Sequence, residues 1–169
     1  MNIPRRSSQL NLMRQTHYML RKEINIYGCF FRSLAAIAES WLGERLNAWE
    51  INELYEQATK DCEDPMMSTN CTVHPPGAGN GIPLLAFKML GDPEYWVRQI
   101  GSREKGKKPK FWAKGKVHRT ILWGVTKEEP QEWRHYRLGD EKGREIFDPD
   151  PTAVVIREVT QLLYEVTKL

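Results

Sequence analysis

No apolar run in this sequence approaches the roughly 18 residues that a helix needs to cross a bilayer, which excludes a membrane-spanning helix from the expected fold. Cysteine is scarce too. Three thiols in 169 residues are an odd number in a chain long enough to build an ordinary core, so a disulfide framework is not expected and at least one thiol is left over. Internal repeats and long low-complexity linkers are absent, which excludes a solenoid or a string of modules. Arg5 and Arg6 stand near the start, but the stretch to Leu20 is broken by Gln9, Asn11, Arg14 and Gln15. No signal-peptide apolar region is therefore expected, and a cytoplasmic site is the default.

What is present describes a folded protein. Apolar residues make up 40% of the chain, charged residues 28%, and there are six Trp. The length suits one domain over 1–169, with an N-terminal arm or helix at 1–24, a helical half at 25–91 and a β half at 92–169. The net charge of +3 conceals an uneven distribution, because 98–119 holds nine Lys or Arg against the single Glu104. The remainder has 16 basic and 21 acidic residues, a net of −5. Such a basic stretch reads first as a solvated loop and more sharply as a contact for an anionic partner.

Residues 8–22 fit a weak amphipathic helix or an extended arm. From position 29 to 42, Phe30, Leu34, Ile37, Ala38 and Trp41 recur at helical spacing, widened by Phe31 and Ala35, which predicts a deeply buried helix between Gly28 and Gly43. Asn47 and Glu50 form a capping pair for a second helix ending near Lys60, and a third is expected from about 80–83 to Gly91. The Pro- and Gly-rich stretch 61–80 reads as a long loop. Stretches 95–100, 117–126, 133–138 and 144–148 read as strands, while 154–169 fits a strand pair or a terminal helix. Helices first and antiparallel strands second give an α+β domain.

Cys29 in the first turn of the buried helix would meet the positive end of the helix dipole, which favours a thiolate. A thiolate nucleophile needs an imidazole to carry its proton and a third group to fix that imidazole. His135 and Asp148 supply both if 133–138 and 144–148 form a hairpin. A four-residue loop 140–143 would pair Leu138 with Glu145, Tyr136 with Phe147, and His135 with Asp148, whose Cβ atoms would lie about 5 Å apart. A five-residue loop would set Asp148 opposite Arg134, making its link to His135 diagonal. Pro149 and Pro151 hold Asp148 and Asp150 in extended conformations.

The run Tyr27-Gly28-Cys29-Phe30-Phe31-Arg32-Ser33-Leu34-Ala35, followed by His135-Tyr136-Arg137-Leu138 and Ile146-Phe147-Asp148-Pro149, resembles the papain-like cysteine peptidases. The likeness is greatest to the branch of bacteriocin-processing double-glycine peptidases and their bacterial and phage relatives. It covers about 25–151. It implies a papain-like fold with Cys29, His135 and Asp148 as a catalytic triad acting on a peptide or amide through a thioester. That branch usually has a glutamine six residues before the cysteine to stabilise the oxyanion, and this chain has Glu23 there. A carboxylate cannot donate a hydrogen bond to an oxyanion and its charge opposes one. Two expectations follow. Either Asn25 takes the role beside the Cys29 backbone N–H, or the chain keeps the fold as a catalytically silent module that binds a peptide or nucleic acid.

Other signals weigh less. Cys62, Cys71 and His74 lack the paired short spacing of a structural zinc module, so no metal and no cofactor is expected. His118 is the rival general base, without an acidic neighbour in sequence. His17 and His74 read as incidental. Gly77-Ala78-Gly79-Asn80-Gly81 lacks the strand and Lys-Ser or Lys-Thr of a phosphate loop. Phe111, Trp112 and Trp123 near the basic stretch could stack on a single strand, but nucleic acid is not the expected main partner.

Overall fold

The structure is a computed structural model that describes residues 10–60 and 78–169. Among them are four helices, α1 (Lys22–Tyr27), α2 (Cys29–Leu42), α3 (Ala48–Thr59) and α4 (Ala78–Met89). Six strands follow: β1 (Tyr95–Glu104), β2 (Lys110–Phe111), β3 (Arg119–Lys127), β4 (Trp133–Gly139), β5 (Glu145–Phe147) and β6 (Arg157–Lys168). The fold is α+β. All the strand pairs are antiparallel, in one open sheet of order β2-β1-β6-β3-β4-β5.

Helix α2 has the span its apolar spacing predicts. Phe31, Leu34, Ala35, Ile37 and Ala38 are fully buried, and Gly43 closes the helix in the left-handed conformation at φ 69°. Its core position also hides an ion pair that an apolar stripe does not announce. Arg32 Nη1 donates to Glu39 Oε1 at 2.9 Å with both side chains fully buried, while Arg32 Nε donates to the Met13 carbonyl at 2.9 Å. Glu39 Oε2 accepts the Leu46 N–H at 3.0 Å. The pair thus ties the N-terminal arm to α2 and to the connection into α3. That helix starts with the expected capping box, Asn47 and Glu50 each accepting the other's backbone N–H.

One open alternative is resolved and two expectations change. The arm before α1 is extended and turn-like, and it lies along the sheet edge: the Leu10 N–H donates to the Ile146 carbonyl at 2.8 Å and the Gln15 N–H to the Pro149 carbonyl at 3.0 Å. Helix α4 begins at Ala78, so Pro83 falls inside it instead of in its first turn. The ambiguous C-terminal stretch is a single strand, β6, paired with β1 on one side and β3 on the other. A central strand has both edges hydrogen-bonded, and that pairing overrides the helical spacing of Leu162, Leu163 and Val166.

Candidate active site

The first hydrogen bond of α2 runs from the Arg32 N–H to the Gly28 carbonyl at 2.8 Å. By helix geometry the N–H groups of Cys29, Phe30 and Phe31 precede that ladder, so Cys29 stands at the positive end of a 14-residue helix. Gly28 is all that separates α1 from α2, and a Cβ there would collide with the Ile24 carbonyl oxygen. One turn into α2, Ser33 Oγ donates to the Tyr136 carbonyl at 3.2 Å. The Phe30 ring meets the Tyr136 ring edge-on at 4.7 Å. These contacts seat the head of α2 against β4 at His135 and Tyr136.

His135 is buried, and its Nε2 lies 2.6 Å from Asp148 Oδ1. The same carboxylate oxygen accepts the Asp150 N–H at 3.0 Å, which holds it at the end of β5. Burial alone would push the His135 pKa down. Its hydrogen bonds with Asp148 and Cys29 and their charges outweigh burial and raise it to about 9. With Nε2 on Asp148, the ring nitrogen left for half-buried Cys29 is Nδ1.

The hairpin reaches this arrangement by a register that neither predicted loop gives. Gly139 pairs with Glu145 and Leu138 with Phe147, with a bulge between the two pairs. Continued by one residue, that register sets Asp148 beside Arg137, so its reach to His135 is diagonal. The predicted direct pairing is corrected, although the two side chains meet.

The two oxyanion candidates do not present a free donor. Asn25 Nδ2 donates to the Gln15 carbonyl and, at 3.0 Å, to the His17 carbonyl, which uses both its hydrogens. Glu23 directs its charge at Tyr55 on α3, where burial first and then Glu23 raise the phenol to about 12. Gln15, on the arm, has no amide hydrogen to spare either. Gln15 is buried, its Nε2 donating to the Asn25 carbonyl at 3.2 Å and reaching the Ile24 carbonyl at 3.5 Å. The Gln15 backbone meanwhile holds Pro149, next to Asp148.

The rival base is elsewhere. His118 Nδ1 accepts the Val166 N–H at 2.9 Å and its ring meets Trp41 edge-on at 5.0 Å. Trp41 is twelve residues after Cys29, about 18 Å along the helix. Cys62, Cys71, His74 and Gly77 lie outside the described residues. Among the described residues no cluster of three metal-ligating side chains occurs, and no helix is long and apolar enough to cross a membrane. The basic stretch is more ordered than a solvated loop: Arg98 pairs with Glu165 at 2.9 Å in β1, Arg103 binds Gln161, and Arg119 donates to Ser40 Oγ at 2.8 Å.

No family model matches this chain, and the searches of curated proteins and of solved structures return no match.

Proposed function

We propose that this chain is a papain-like cysteine peptidase or amidase, in which Cys29 attacks an amide carbonyl. The observation that carries the reading is the 2.6 Å bond from His135 to Asp148, with the head of α2 seated beside that histidine. An imidazole with a pKa near 9 is protonated at neutral pH and is a fitting counter-ion for a thiolate. The thiolate adds to the carbonyl carbon, and the carbonyl oxygen becomes an oxyanion. The Cys29 N–H, which precedes the α2 hydrogen-bond ladder, is the donor for it. The C–N bond then breaks as His135 gives its proton to the leaving amine, and a thioester remains. Water attacks the thioester, His135 takes its proton, the carboxylic acid departs and the thiolate is restored. Asp148 holds the imidazole ring in orientation throughout.

The test separates the two steps. Iodoacetamide reacts with a thiolate by displacement and forms no oxyanion, whereas p-nitrophenyl acetate acylates through one. Cys29 should be alkylated at pH 6 ahead of Cys62 and Cys71, and His135→Ala should abolish that preference. p-Nitrophenyl acetate should acylate the parent and fail to acylate Cys29→Ala. Equal labelling of the three cysteines would sink the catalytic reading and leave a silent binding module of the same fold.

A further inference from the structure

A cavity of about 750 Å³ lies on the opposite face of the sheet from the helices. Leu122, Arg137 and Gln161 are register neighbours on β3, β4 and β6, and all three line it. Their sequence neighbours Ile121, Leu138 and Leu162 pack into the helical core. The floor runs across β1, β6, β3, β4 and β5. At about 4.8 Å per strand spacing it is roughly 19 Å across, the length of about five or six extended residues. Two tight turns wall it, each closed by a glycine of positive φ, Gly106 at 76° and Gly143 at 79°. A Cβ on Gly143 would also strike the Gln161 amide, so this wall stands against the floor.

The charges of the lining are not spread evenly. Glu104 is neutralised by Lys107 at 2.7 Å and Asp140 by Arg144 at 2.7 Å. Glu145 and Glu158 share Arg137. With five cations against four carboxylates the lining is net positive by one, and two of its cations have no carboxylate partner among the described residues. Arg103 gives Nε and Nη2 to the neutral Gln161 Oε1 at 3.0 and 2.7 Å. Lys105 has its backbone pinned by the Val159 carbonyl at 2.9 Å. On the floor, Arg137 is only 8% exposed, and its Nε–H is buried without an acceptor. Leu122 and Ile146 offer a docked peptide apolar contact between the charged rims.

We propose that this concave face docks an extended acidic peptide segment, whose carboxylates meet Arg103 and Lys105 while its backbone crosses β6, β3 and β4. The groove excludes Cys29, His135 and Asp148 from its lining, so docking here stands or falls apart from the catalytic reading.

Fluorescein-labelled hexaglutamate at low ionic strength, followed by fluorescence anisotropy, tests it. Saturable binding is expected, weakened at least tenfold in the Arg103→Gln/Lys105→Gln double variant. Lys108→Gln/Lys110→Gln removes the same charge outside the groove and should stay within twofold of the parent. Cys29→Ser should bind like the parent. Equal losses in the two double variants would reduce the effect to general attraction. Tighter binding of an oligothymidylate of equal charge, or no saturable binding, would overturn the proposal.

Discussion

Helix α2 presents a histidine at each end, and the two are treated in opposite ways. At its head, His135 has a carboxylate at 2.6 Å and is held above its ordinary pKa, at about 9. At its tail, His118 accepts a backbone N–H, packs on Trp41, and is pushed below its ordinary value, first by burial and then by Lys116. One ring is favoured in its charged form and the other in its neutral form. A strand histidine packed on a helix is thus no signal by itself; its partner decides. An imidazole whose nitrogen receives a hydrogen bond from Val166 serves as a structural acceptor, whereas one facing a carboxylate and a thiol can move a proton.

The two ends are joined by the Arg32–Glu39 pair, and breaking it offers the largest expected effect. Glu39→Ala would leave a buried guanidinium without its carboxylate and free the Leu46 N–H. Loss of one partner of a buried pair costs about 3–5 kcal/mol, readable as a shift of the urea midpoint. Both ends should loosen together, shown by faster exchange of the Val166 amide and loss of selective Cys29 alkylation. Loosening of one end alone would mean that the pair does not couple them.

A smaller effect separates the ends by pH. The raised His135 pKa stabilises the fold fully below about 6.5, the unfolded value, and that contribution is lost as pH rises through about 9. The shift corresponds to on the order of 3 kcal/mol. The stability gap between the parent and His135→Ala should therefore narrow by about that much between pH 6 and pH 10, measured by urea unfolding. A gap unchanged across that window would show that Asp148 and Cys29 do not hold the proton there.

How legible this was depended on whether a feature is local. The span of α2, the Asn47–Glu50 cap and the trio Cys29, His135 and Asp148 could be read directly, because each rests on residue type and order. The bulge that sets Leu138 against Phe147 leaves no periodic mark, so the hairpin register was missed although the two side chains that meet there were named. The bond from the Gln15 N–H to the Pro149 carbonyl was not legible because it depends on how an irregular arm folds back over α1. Arg32 and Glu39 are seven residues apart, two helical turns on one face, yet that spacing looks the same for a buried pair and two solvated charges.

The smallest effect belongs to the tail. His118→Phe would keep the ring against Trp41 and leave the Val166 N–H without its acceptor, at a cost of about 1–2 kcal/mol. Its pH signature should run opposite to that of His135. A lowered pKa means that the unfolded chain binds the proton more tightly, so His118 destabilises the fold as pH falls below about 6.5 and is without effect above it. The variant should therefore lose least, relative to the parent, under acid conditions. Selective alkylation of Cys29 at pH 6 should persist in it, because the Trp41 end lies about 18 Å along the helix from the thiol. Loss of that labelling would put His118 back in contention as the base and undo the contrast between the two ends.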